Sequence, residues 1–156
     1  DLNYYVARTI DSTVNPKYRN AKGKKNNIIF NEIDIDWTKP VILVEGIFDA
    51  IKSPENTIPI LGSSISQNSE LYRKLASNLC TVYLSLDPDM KEKAFSIAQR
   101  LCRAGCEVYM SFAPAGKDLG DLDRASVRQL IVNSFRFDDR VNLYHKIGKI
   151  KSGSVF

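Results

Sequence analysis

The 156 residues contain one histidine, His145, and three cysteines, Cys80, Cys102 and Cys106. A single histidine makes a serine–histidine–aspartate relay or a histidine-rich metal centre a poor reading of this chain. An odd cysteine count without paired spacing builds no disulfide framework and points to reduced thiols in a cytosol-like compartment. Cys102, Cys106 and His145 lack a fourth ligand, so the thiols read as small buried apolar residues and not as a zinc site. Long apolar runs are missing too: the longest tight cluster is Val41-Ile42-Leu43-Val44, far below the ~18 residues of a membrane span. No basic-then-apolar leader is present, and the chain opens on Asp1 rather than Met, which reads as a piece of something longer. Gly116-Lys117 lacks the upstream glycine and downstream Ser/Thr of a P-loop, so no nucleotide-driven motor is encoded. What chemistry remains rests on carboxylates.

The positive charge is placed unevenly. Residues 1–31 hold six cations (Arg8, Lys17, Arg19, Lys22, Lys24, Lys25) against Asp1 and Asp11, which is the whole net charge of +4; the other 125 residues hold 16 of each sign. Such a block can track a polyanion, nucleic acid being the usual one. It also suits a solvated loop, because Asn15-Pro16, Gly23 and Asn26-Asn27 form turns.

Tyr4–Ile10 is rich in β-formers and predicts a strand, followed by a basic loop over 11–27. Ile28–Ile35 ends in alternation, Ile33 and Ile35 against Asp34 and Asp36, and predicts a second strand. After Pro40 the pattern changes. Val41–Val44 is continuous apolar sequence, as in a strand buried on both faces. A short helix over Ile47–Ser53, a strand at Ile58–Leu61 and a helix over Ser66–Leu79, with Leu71, Leu75 and Leu79 on one face, come next. Thr81–Leu86 predicts a strand and Lys91–Ala104 a helix closed by Gly105. A strand at Cys106–Phe112, a loop over Ala113–Asp121 and a helix from about Leu122 to Phe135 complete the pattern. Lys146–Phe156, with three lysines and no acid, predicts little order. The expected fold is α/β: a mostly parallel sheet with helices on both faces, preceded by a small basic β-containing subdomain. The expected division is 1–38, 39–135 and a C-terminal extension over 136–156.

In parallel sheets, sites lie beyond the carboxyl ends of the strands. That rule places Glu45, the Asp87-Pro88-Asp89 pair and the Gly116–Asp121 loop along one edge. Pro88 pushes Asp87 toward extended geometry, in which residues two apart face the same side. Unpaired carboxylates there would repel and raise one another's pKa, and a hard divalent cation removes the conflict. Glu45 can add a third oxygen ligand or accept a proton. Asp89 can instead cap the Lys91 helix, and Asp49 can be an acid favoured by a helix N-terminus.

Glu45-Gly46-Ile47-Phe48-Asp49 resembles the E-G-x-x-D signature of TOPRIM domains, in the form found in bacterial-type and phage DNA primases. Asp87-Pro88-Asp89 is similar to their D-x-D. Lys117-Asp118-Leu119-Gly120-Asp121 is similar to their later K-D-x-(D/N)-(E) segment, with Gly120 departing where an acid or amide is frequent. Leu61-Gly62-Ser63-Ser64 falls where the family has a Leu-Gly-Thr-type turn. Upstream, Tyr5-Val6-Ala7-Arg8 followed by Lys17-Tyr18-Arg19-Asn20 resembles the basic part of the primase core. The family's further lysine, just after a phenylalanine, falls at Asn31, which leaves its place to Lys22, Lys24 or Lys25. The likeness spans residues 5–123; the family's zinc-binding module and the first part of its polymerase core have no counterpart in the sequence.

The resemblance implies metal-dependent synthesis of short RNA primers on a single-stranded DNA template. Ribonucleoside triphosphates are the substrates, Mg²⁺ or Mn²⁺ the cofactor and a replicative helicase a further partner, in the cytoplasm of a bacterium or phage-infected cell. It implies that Asp87 and Asp89 bind metal, that Glu45 is a ligand or base, and that Asp49 and Asp118 support the cluster. Arg8, Lys17, Arg19, Lys22, Lys24 and Lys25 bind nucleic acid or nucleotide, and Lys117 meets a triphosphate or balances Asp118 and Asp121. The same acids also suit a TOPRIM nuclease, with water as nucleophile. A topoisomerase needs a tyrosine domain that this length cannot hold. A phosphate-accepting receiver domain gathers acids and a lysine at strand ends but has no place for the basic block. A metal-free DNA-binding TOPRIM module is the remaining alternative.

Overall fold

The computed structural model describes residues 5–11, 13–16, 18–23, 25–62, 64–114 and 116–152, with the side chains of Asn20 and Lys25 left aside. Strands β1 (Val6–Arg8) and β2 (Tyr18–Asn20) pair antiparallel, with Arg8 opposite Tyr18 and Ala7 opposite Arg19. Alternation along a strand therefore puts Val6, Arg8 and Tyr18 on one side of this ribbon and Ala7 and Arg19 on the other.

The predicted strand over Ile28–Ile35 does not form. Short 3₁₀ turns occupy Lys25–Asn27 and Glu32–Asp34. Asn31 adopts left-handed φ 55° ahead of the second turn, a conformation Asn tolerates well and one that breaks a strand. Its side-chain amide donates to Asp34 at 2.6 Å. Ile33 is 92% exposed, so the alternation at the end of this segment marks no buried face.

Strand β3 (Val41–Val44) is buried at all four residues and is followed by α1 (Ile47–Lys52), β4 (Thr57–Pro59), α2 (Glu70–Ser77), β5 (Thr81–Leu86), α3 (Lys91–Arg103), β6 (Glu107–Phe112), α4 (Arg124–Val132), β7 (Phe135–Arg136) and α5 (Asp139–Lys151). The sheet order is β4-β3-β5-β6-β7; the first three pairings are parallel and β6–β7 is antiparallel. Residue parity sorts the core. Val41, Leu43, Val82, Leu84, Val108 and Met110 pack beneath α2 and α3. Ile42, Val44 and Tyr83 face the other way, against Ala50 of α1 and Val127, Leu130 and Ile131 of α4. Cys80 and Cys106 are buried in the first layer, and burial raises the Cys106 thiol to about 11.

Helix ends decide most boundary differences. α2 starts at Glu70 because Ser69 caps it, its side chain accepting from the Tyr72 N–H at 3.2 Å. Leu71 and Leu75 are buried, but Leu79 is 64% exposed. It sits past the helix end at φ 48° and its N–H donates to Ala76, while Cys80 donates to Leu75. That is a Schellman ending with a leucine in the left-handed position. α3 ends the same way with Gly105 at φ 92°, as predicted. The C-terminal stretch departs most. Residues 146–151, expected to show little order, belong to α5. Asp138 caps this helix by accepting from Val141 N–H at 2.8 Å. Val141 packs on the core, the His145 ring stacks on Phe95 at 3.8 Å, and Lys149 donates to Glu92 at 2.8 Å. Among the described residues, no helix is long and apolar enough to cross a membrane.

Candidate active site

Because β3, β5 and β6 run parallel, their carboxyl ends share one edge. Leu43 stands opposite Leu84, so Glu45 and Asp87 leave neighbouring strands at nearly the same height. Glu45, Asp87 and Asp89 each offer a carboxylate oxygen, and these oxygens all lie within 4.8 Å of one another. The route differs from the expected extended pair: Pro88–Met90 forms a 3₁₀ turn, with Asp87 extended ahead of it. α3 is N-capped by Met90, without a side-chain cap, so Asp89 does not cap that helix and its carboxylate is exposed at the rim.

Two of the acids, Asp87 and Asp49, are held by backbone amides. Asp87 Oδ1 accepts from Leu119 N–H at 2.9 Å, which ties β5 to the loop after β6. Asp49 Oδ2 accepts from Gly46 N–H at 2.9 Å. The Asp49 carboxylate lies between two glycines. A Cβ at Gly46 would stand 3.1 Å from Oδ2, and one at Gly120 would stand 2.9 Å from Oδ1. Gly120 therefore departs from the family pattern at a point where the Asp49 carboxylate occupies the space of a side chain. Lys52 of α1 donates to the Gly120 carbonyl and fastens the same loop.

The electrostatics follow from crowding. Burial pushes Glu45 above the usual carboxylate range, and the charges of Asp87, Asp89 and Asp49 push further, with Lys93 opposing. Burial also raises Asp49, against the Gly46 hydrogen bond, with Asp87 and Asp118 adding. Asp87 is raised by burial, against the Leu119 hydrogen bond, and then by Asp118, Asp89 and Asp121. Among the described residues none of Glu45, Asp49, Asp87, Asp89 and Asp118 forms an ion pair. Closely spaced, oxygen-only donors that repel one another and stand open to solvent suit a hard divalent cation.

Glu45, Asp49, Asp87 and Asp118 line a cavity of about 720 Å³ whose opposite wall is the Val6–Arg8–Tyr18 side of the ribbon. Of the predicted nucleic-acid residues, Arg8 faces this cavity. Arg19 lies on the other side of the ribbon, Lys22 is exposed on the following turn, and Lys117 is exposed outside the cavity lining. Lys17, Lys24 and the Lys25 side chain lie outside the described residues. Sequence reasoning missed Lys52, Lys93, Tyr18 and Phe48 as parts of the site. Lys52 and Lys93 were findable: they follow Asp49 by three residues and Asp89 by four, the spacings that bring helix side chains together.

Comparison with known proteins bears on the fold. No family model matches the sequence, and no curated protein matches it. Solved structures do. The zinc-binding and RNA polymerase domains of Aquifex aeolicus primase superpose with a TM-score of 0.71 at 27% identity, over 92% of this chain and 41% of that one. The chain has the fold of DnaG-type primase catalytic domains. A DNA primase domain from Pseudomonas aeruginosa matches at TM-score 0.68 and 16% identity, over 95% of this chain and 51% of that one. A DnaG primase catalytic domain bound to single-stranded DNA matches at 0.65 and 12%, over 85% and 48%. This chain thus spans about half the length, or less, of the primase structures it resembles.

Proposed function

We propose that this chain is a catalytic fragment of a DNA primase that joins ribonucleotides into short RNA primers on a single-stranded DNA template. The observation that carries this reading is the convergence of Glu45, Asp87 and Asp89 within 4.8 Å, at the strand ends of a primase-type fold. Residues 39–135 form the TOPRIM unit, 1–38 the basic part of the core and 136–156 an extension. Asp87 and Asp89 hold Mg²⁺ or Mn²⁺, with Glu45 as a further ligand or as acceptor of the primer 3′-hydroxyl proton. Asp49 and Asp118 support the cluster directly or through water. Bound divalent ions supply positive charge over the phosphoryl oxygens as charge develops there. Phosphoryl transfer asks little covalent work of the protein beyond alignment, and the backbone tethers on Asp87 and Asp49 provide it. Arg8, Lys17, Arg19, Lys22, Lys24 and Lys25 contact template or nucleotide phosphates, and Lys117 a triphosphate. The setting is the cytoplasm of a bacterium or phage-infected cell, with a replicative helicase as partner.

The test is incorporation of labelled ribonucleotides on single-stranded DNA by the parent and by Asp89→Ala, whose side chain is exposed and makes no hydrogen bond or ion pair among the described residues. Primer synthesis by the parent and its loss in the variant are expected. Equal yield from both, or shortening of DNA without ribonucleotides, overturns the reading; the second outcome replaces it with a nuclease.

A further inference from the structure

The cavity holds a cation that the acids do not capture. Among the described residues Arg8 forms no ion pair, although Glu45, Asp49, Asp87 and Asp118 line the same cavity. A flexible arginine facing four carboxylates would be expected to fold onto them, because opposite charges in a partly buried cleft attract strongly. Arg8 rests instead on two aromatic rings. Its guanidinium carbon stands 5.6 Å from the centroid of Tyr18 and 5.7 Å from that of Phe48. The rings are 6.3 Å apart, tilted by 51°. Tyr18 is the direct cross-strand partner of Arg8. Phe48 comes from the first turn of α1, at a position that the E-G-x-x-D pattern leaves open, between Glu45 and Asp49. The contact therefore closes the basic ribbon against the acidic edge of the sheet.

Aromatic rings engage a guanidinium through its plane and leave its N–H fork free, whereas a carboxylate would use up that fork. Resting on the function proposed above, we propose that Phe48 is a positioning residue: with Tyr18 it holds the Arg8 guanidinium by its plane, away from the acids, so that the fork is available to the triphosphate of an incoming nucleotide. The cavity then has an acidic wall for cations and an opposing wall that presents one uncommitted cation to phosphate.

A double-mutant cycle tests this on the full chain, using equilibrium binding of ATP and of inorganic triphosphate at fixed Mg²⁺. Phe48→Leu is expected to raise both dissociation constants by about threefold to tenfold, the fold-change of one cation–π contact at a partly exposed site. Phe48→Tyr restores parent binding, and Phe48→Leu adds nothing in an Arg8→Ala background. Should Phe48→Leu not fold, Tyr18→Leu removes the other ring and reads the same coupling to Arg8. The proposal is overturned by equal weakening with and without Arg8, by failure of tyrosine to rescue, or by loss of ATP binding with triphosphate binding unchanged, which would put the ring against the base. A parent that binds neither probe also overturns it. Binding with Arg8–Phe48 coupling in a protein that makes no primers upholds the clamp and sinks the polymerase reading; primer synthesis without coupling does the reverse.

Discussion

Replacing Asp87 by Asn should make the ion-free protein more stable and the enzyme inactive. The carboxamide oxygen keeps the 2.9 Å hydrogen bond from Leu119 N–H, so the tether between β5 and the following loop survives. What disappears is one negative charge from a group whose oxygens lie within 4.8 Å of one another. Two unit charges at that separation repel by about 0.9 kcal/mol in water and by about 3.5 kcal/mol at an effective dielectric of 20. Asp87 is half-buried and Asp89 exposed, so screening favours the low end. Relief from the neighbours together is then about 1–2 kcal/mol, or a rise of about 2–8 °C in Tm for a domain of this size. The assay is thermal denaturation in EDTA and in rising Mn²⁺. An ion that binds only the folded parent stabilises it by about 2.7 kcal/mol at one hundred times its Kd, and the variant should lose most of that shift. The two proteins therefore exchange rank: Asp87→Asn melts higher without ion and the parent melts higher with it. A variant that melts lower in EDTA, or that keeps the full Mn²⁺ shift, would refute the claim that these acids repel and share an ion.

Protons should compete with that ion. Folding raises Glu45, Asp49 and Asp87 above their ordinary 4.5 and 3.8, so the folded state binds protons more readily there. The ion-free fold gains stability from these groups as pH falls through their raised values toward the ordinary ones, and Mn²⁺ affinity falls over the same window. A Mn²⁺ shift in Tm that stays constant as pH is lowered from neutrality to the ordinary carboxylate values would contradict this. Asp36, held down to about 2 by its bonds to Thr38 and Lys39, carries the opposite sign and acts at lower pH. Gly120→Ala drives a Cβ to 2.9 Å from Asp49 Oδ1. It should dislodge that carboxylate from Gly46, lowering stability by about 1 kcal/mol and weakening Mn²⁺ binding, both read by thermal shift; an unchanged Tm would mean the loop moves freely. Changing Lys17 and Lys24 together to Ala should flatten the slope of log affinity for single-stranded DNA against log salt by about 1.4. The same slope in both proteins would put the template path elsewhere.

The parallel core was legible because burial on both faces leaves a plain mark. Val41–Val44 is apolar on both parities, Thr81–Leu86 carries Val82, Leu84 and Leu86 on one parity and Tyr83 on the other, and acids stop both runs at Glu45 and Asp87. The convergence of those acids could be anticipated because a parallel sheet aligns its carboxyl ends. Three features were not legible. Alternation at Ile33–Ile35 mimicked a strand because local periodicity does not say which side meets a core, and Ile33 meets none. α5 was hidden because what holds it is distant in sequence: Phe95 under His145 and Glu92 beside Lys149. The ribbon's approach to α1 was hidden as well, since nothing in Tyr18 or Phe48 alone shows that Arg8 will lie across both rings.

Three cations near the acidic edge have something in common beyond their charge. Lys52 gives its ammonium to the carbonyl of Gly120. Lys93, whose charge acts on Glu45, donates to the sulfur of Met90 at 3.7 Å. Arg8 lies on aromatic rings. Each of these three positive groups has a neutral partner, and among the described residues none of the five carboxylates is ion-paired. Had any of these cations salt-bridged Glu45, Asp87 or Asp89, a divalent ion would first have to break that bridge, and its affinity would fall by the strength of the pair. Neutral partners avoid this. They keep the positive groups within reach of a phosphate and leave the acids electrostatically unsatisfied, so that the repulsion stored at the strand ends favours capture of a cation from solution.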